Sequence, residues 1–233
     1  MIEKTDLDEC IEVAIDFLYM DLEMTDIPDI ILHPYFQSPY IIDEDSGKLI
    51  NILENEDNYD SAINQMEEKI YKVENFMEFT DLLTKPYRLA FLKFTKDFLD
   101  LKDFSKYLID TWITDEYVNR NATVSKIELL EYFKNASKEL IMDEDDQIVY
   151  SNLEEEITIY RGVTDYNKDD TKAMSWTIDK DIAKWFANRF GQEGYIYTAK
   201  IHKKDIFAFC NLRNEKEVIV DFNKLFDLEL LDI

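Results

Sequence analysis

Apolar positions along this chain change their period part-way through. In the N-terminal two thirds they recur three and four residues apart, the spacing of one helical face. Ile11, Ala14, Ile15, Leu18 and Leu22 predict an amphipathic helix over residues 7–24. Pro28, Pro34 and Pro39 then impose an extended, aromatic-bearing stretch. Ile41-Ile42 and Leu49-Ile50 flank Asp45-Ser46-Gly47, the pattern of a short hairpin. A long helix is predicted over 58–83. A second, opened by Pro86, reaches residue 101, and a third spans Phe104–Tyr117. Ser125 and Glu128 have capping-box spacing ahead of a helix ending near Ile141. The run Asp143–Asp146 reads as an acidic loop.

Beyond that loop the texture is β-branched and aromatic. Ile157–Tyr160, Tyr195–Ala199, Ile206–Phe209 and Val218–Val220 read as strands. One helix interrupts them at about 179–190, capped by Asp179 and closed by Gly191. Helices followed by a mostly antiparallel β core with one packing helix make an α+β chain, not an alternating α/β one.

Composition sharpens this picture. The chain has 233 residues, 46% of them hydrophobic and 14% aromatic, enough for one sizeable core or two small ones. No apolar run approaches the length of a membrane span, and the start lacks a basic and apolar leader. Cys10 and Cys210 are too few for a disulfide framework, which fits a cytoplasmic setting. A toxin delivered into the cytoplasm by another route would share this composition. The net charge of -25 is uneven. Residues 157–233 are almost neutral, and residues 1–156 carry nearly all the excess acid. Such a surface repels anionic membranes and nucleic-acid backbones and attracts basic partners.

Several motifs fall away. Gly47, Gly162, Gly191 and Gly194 are the only glycines, so no Gly-rich phosphate loop is present. His33 and His202 are too few for a helix-borne zinc motif. Asp43, Asp45, Gly47 and Glu54 nearly mimic a calcium loop, but the glycine is one position early, and a hairpin turn fits better. The carboxylate runs Asp143–Asp146 and Glu154–Glu156 read as solvated faces, not metal sites. A Cys210/His202 nucleophile–base pair has no local support. Trp112, Trp176 and Trp185 read as core.

What remains is a constellation in the last third: Tyr160-Arg161-Gly162, then Ser175-Trp176-Thr177, then Glu215-Lys216-Glu217. A guanidinium matches phosphate geometry, and a glycine admits close approach to the backbone. Ser175 and Thr177, two apart on a strand, share a face, and Glu215 and Glu217 do so if their strand begins there.

In order and spacing these residues resemble the arginine–serine–glutamate class of mono-ADP-ribosyltransferases. The resemblance covers about residues 155–221, including Ala183, Trp185, Phe186 and Ala187 as the packing helix. It implies a β core of ADP-ribosyltransferase type within a catalytic region at 101–233, comprising helices at 101–141 and the β core at 155–233. Residues 1–100 form an acidic, mainly helical region of unassigned role. The implied reaction takes NAD as substrate, without metal, releases nicotinamide, and passes ADP-ribose to a macromolecular acceptor. A protein arginine is favoured over nucleic acid.

In this reading Arg161, Gly162, Ser175 and Thr177 hold NAD. Glu217 stabilises the ribosyl cation, and Glu215 activates the acceptor. Phe209 and Asn211 belong to the acceptor-recognition loop. Arg161, Ser175 and Glu217 are expected to converge on one cleft. Two other readings share the sequence: an NAD glycohydrolase with water as acceptor, and a non-enzymatic acidic protein that docks a basic partner.

Overall fold

A computed structural model describes residues 2–44, 46–114, 121–168, 171–191 and 194–231. Asp45 of the hairpin turn and residues 115–117 of the third predicted helix lie outside the described residues. The chain divides into two compact units, Met1–Val124 and Ser125–Ile233.

The first unit begins with α1 (Leu7–Leu18), whose N-cap Asp6 accepts from the Glu9 amide. This helix stops six residues short of the predicted end, and Tyr19 lies outside the helical region. Two hairpins follow. β1 (Glu23–Met24) pairs with β2 (Ile31–Leu32), and β3 (Tyr40–Asp43) pairs with β4 (Lys48–Asn51), the second as the sequence pattern predicts.

The long helix expected over 58–83 is two pieces, α2 (Glu56–Tyr71) and α3 (Phe79–Leu82). Asn75 is extended, and Glu78 reaches back to accept from the Glu74 amide and the Asn75 side chain. These bonds tie down the extended link at residues 74–75, where the run is broken. Pro86 opens α4 (Lys85–Thr95), and α5 (Leu101–Thr114) completes the unit. Phe76, Phe79, Phe91 and Tyr107 form its aromatic centre, with ring centroids 4.9–6.2 Å apart.

His33 is fully buried in this unit. Its Nε2 stands 3.2 Å from the Leu18 carbonyl at the end of α1, and its Nδ1 accepts from the Tyr35 amide. A carbonyl only accepts, so the ring is neutral with its proton on Nε2. Burial, the largest effect, holds its pKa below the ordinary 6.5. The unfolded chain therefore takes up a proton near 6.5 that the folded chain refuses. Stability is full above that value and falls as the pH drops below it. Urea unfolding of the wild type minus that of His33→Gln, measured from pH 8 to pH 5, is expected to show this loss. A pH-independent difference would contradict it.

In the second unit Ser125 and Glu128 form the expected capping box at α6 (Lys126–Asn135). The helix ends at Asn135, and α7 (Lys138–Ile141) follows separately. The acidic run taken for a loop is a helix, α8 (Glu144–Ser151). Asp143 caps it through the Asp146 amide, and Glu144, Asp145 and Asp146 occupy the first turn, where the helix dipole favours negative charge.

Next come β5 (Glu156–Val163), β6 (Ser175–Thr177), α9 (Lys180–Asn188), β7 (Tyr195–His202), β8 (Ile206–Cys210), β9 (Glu217–Val220) and β10 (Phe226–Leu231). The strands form one antiparallel sheet in the order β10-β7-β5-β6-β9-β8. The unit is thus α+β, with helices and a six-stranded antiparallel sheet. Among the described residues no helix is long and apolar enough to cross a membrane.

Candidate functional site

The sheet order brings the three motif strands side by side: β5 with Arg161, β6 with Ser175 and Thr177, and β9 with Glu217. Thr177 stands opposite Tyr160 on one side and Glu217 on the other, and Cys210 stands opposite Glu217. Directly opposed residues share a face, so Tyr160, Thr177, Glu217 and Cys210 form a row, and Ser175 lies on the same face.

Arg161 follows Tyr160 and leaves the opposite face of β5. Its guanidinium returns to the level of the sheet. β5 and β6 share a single bridge pair, Tyr160 with Thr177. The Val220 amide donates to the Met174 carbonyl and the Ile178 amide to the Lys216 carbonyl, so those groups of the β6 region turn toward β9. Alternation then turns the Ser175 carbonyl toward β5. Arg161 Nη1 donates to that carbonyl at 2.6 Å, where an unbroken ladder would have placed a backbone amide. The Arg161 guanidinium therefore lies against β6 beside the single β5–β6 bridge, and its side chain leaves the face opposite to that of Glu217. Arg161 thus meets Ser175 at its main-chain carbonyl, while the Ser175 and Glu217 side chains share the other face, Glu217 one strand further on.

Gly162 has a structural reason of its own. A Cβ there would lie 1.9 Å from the Ala183 carbonyl and 2.7 Å from the Ala187 amide of α9. The space expected for a ligand beside Gly162 is filled by helix backbone. Ala183 and Ala187 are fully buried and pack with Ile196 and Tyr160, as a packing helix should. Trp185 on the same helix is 63% exposed, contrary to its reading as core, because it points away from the Ala183/Ala187 face. Trp112 and Trp176 are buried as expected.

The Glu-Lys-Glu segment is not a continuous strand. β9 begins at Glu217, and Asn214 and Lys216 have φ of 57° and 45°. Glu215 thus stands in a turn, and the shared-face argument for the two glutamates does not hold. A different device gathers them. Arg213 Nη2 lies 2.9 Å from a Glu215 carboxylate oxygen and 3.9 Å from one of Glu217. Arg213 was not singled out by the motif, and its only signal was its spacing of two and four residues from the glutamates.

The turn is built by side chains expected to contact ligands. The Thr177 hydroxyl donates to the Glu215 carbonyl at 2.8 Å and accepts from the Asp179 amide. Asn211 accepts from the Lys216 amide through its side-chain oxygen. Lys216 pairs with the α9 cap Asp179 at 2.7 Å. Thr177 and Asn211 therefore position the glutamates through the backbone. Phe209 is buried, its amide against Met142 Sδ, so it is a core side chain and not an acceptor contact. Leu212 is the exposed apolar residue of this loop.

No protein-family model, no curated protein and no solved structure matches the chain.

Electrostatics separates the carboxylates from the thiol beside them. Glu217 is 4% exposed and Glu215 more open. Burial, helped by Glu217 and Asp146, pushes the Cys210 thiol up to about 11, so at neutral pH it is protonated. His202 ends β7, and three strands separate β7 from the β8 that carries Cys210, so the two form no nucleophile–base pair. Among the described residues no three His, Cys, Asp or Glu side chains cluster as metal ligands would.

Proposed function

We propose that the unit carrying Arg161, Ser175 and Glu217 is a mono-ADP-ribosyltransferase that cleaves NAD and passes ADP-ribose to a macromolecular acceptor, a protein arginine by preference. The observation that carries this reading is the adjacency of β5, β6 and β9, which sets the three motif residues on neighbouring strands. The arginine is held by the Ser175 carbonyl, and a largely buried glutamate stands one strand away.

In this reading the dinucleotide lies across β5, β6 and β9, reaching from Arg161 to Glu217. The Arg161 guanidinium supplies donors to the pyrophosphate, and the Ser175 hydroxyl orients the nicotinamide ribose. As the bond from ribose C1 to the nicotinamide nitrogen breaks, its electron pair leaves with nicotinamide and positive charge grows on the ribose. The Glu217 carboxylate, held in place before reaction, offsets that charge. Glu215 then draws the proton from the attacking acceptor nitrogen. Arg213 already seats a guanidinium against Glu215, the geometry an incoming arginine would adopt on displacing it.

Arg161→Ala is expected to weaken NAD binding by about 1.5–3 kcal/mol, the scale of a charged hydrogen bond. Calorimetry on a variant shown to be folded by circular dichroism tests this. Undiminished affinity would contradict the assignment.

A further inference from the structure

We infer that an open groove on the N-terminal unit, lined by both apolar side chains and carboxylates, docks a basic amphipathic segment of a partner protein. The groove has a volume of about 770 Å³ and is floored by Ile52, with Leu22, Met24, Leu53 and Tyr59 around it. Met24 and Leu53 are 67% and 43% exposed. They are not isolated. Nearly half of the exposed large apolar side chains among the described residues fall between Tyr19 and Leu53. Ile42 and Leu49, directly opposed on the β3–β4 hairpin that leads into the groove, are both more than two-thirds exposed. Exposed apolar surface on this scale, rimmed by charge, marks an interaction site.

Charge complementarity selects the occupant. Glu56 and Asp60, one turn apart on α2, line the groove. Asp21 is close by, since after burial it is Asp21 and Asp60 that push the Tyr59 hydroxyl upward. The surrounding sequence is of one sign: residues 1–60 hold seventeen carboxylates and two amines, Lys4 and Lys48. The field repels lipid headgroup phosphates, nucleic acid and a second copy of this acidic unit. It attracts Lys and Arg, while the groove takes the apolar side chains spaced between them on a helical segment.

The test uses the full chain and two fluorescent helical peptides, one of leucine and lysine, the other with glutamate replacing every lysine. The lysine peptide is expected to bind and the glutamate peptide to fail. Raising the salt above the level at which exposed charges are screened should weaken binding. Glu56→Lys with Asp60→Lys should weaken it by about tenfold or more, and so, independently, should Met24→Ser with Leu53→Ser at constant salt. All four positions are exposed or at the rim, so thermal unfolding should confirm that the variants fold.

Failure of the lysine peptide to bind overturns the inference. So does equal binding to the serine variant, which would mean that the charge acts without the groove. A dimer in sedimentation, or binding to zwitterionic vesicles, that the serine substitutions abolish would give the groove to another occupant and overturn it as well.

Discussion

Glu217→Gln is expected to slow nicotinamide release on the order of 10²–10³-fold while leaving NAD affinity nearly unchanged. A carboxylate that meets positive charge only as the glycosidic bond breaks contributes to the transition state and little to the ground state. Glutamine keeps the shape of the side chain at a site only 4% exposed, so the comparison isolates charge from packing. Glu215 is assigned to the acceptor. Glu215→Ala should therefore lose transfer of labelled ADP-ribose to protein yet keep part of the nicotinamide release, because water still captures the cation.

Equal loss of both signals in Glu215→Ala, with both spared in Glu217→Gln, would reverse the roles. If Glu215→Ala changes neither signal and only hydrolysis is ever detected, the enzyme is a glycohydrolase.

Gly162→Ala is expected to destabilise the C-terminal unit by about 2–3 kcal/mol or more. The added Cβ meets helix backbone at 1.9 Å, and a main-chain carbonyl cannot rotate aside as a side chain would. Either α9 lifts from β5 or the strand bends, and both moves disturb the neighbouring Arg161. Gly47→Ala is a useful contrast. It has open space around it and φ of 66°, so it suffers backbone strain without collision. Denaturant unfolding should rank Gly162→Ala as the more damaging substitution. A Gly162→Ala protein of normal stability that has lost only NAD binding would return the glycine to ligand contact.

The elements that the sequence made plain are those whose signal is local. The capping box at Ser125 and Glu128, the proline start of α4 and the Asp179 cap of α9 are each written within four residues. Four of the strands show as β-branched and aromatic runs, and the Ser-Trp-Thr strand enters with the motif that carries the family resemblance. What was hidden depends on distant partners or on two signals in conflict. The Asp143–Asp146 run looks like a solvated loop because carboxylates are usually exposed, yet the same charges suit a first helical turn behind an aspartate cap. The break after α2 rests on Glu78 reaching back to Glu74 and Asn75. β10 is hidden because Phe226–Leu231 holds no β-branched residue, the signal that marks the other strands of its sheet.

For the candidate site, the motif residues indicated which strands belong together. The sequence could not reveal that β5 and β6 part at Arg161, that Arg213 bridges the glutamates, or that Gly162 is required by α9. Each of these rests on residues brought together only by the fold.

The measurement that bears most directly on the central claim is free nicotinamide released from NAD by the purified chain, wild type against Arg161→Ala and Glu217→Gln. Release by the wild type that falls steeply in both variants is the expected result. A folded wild-type protein that releases none, or release that persists undiminished in both variants, would contradict the account.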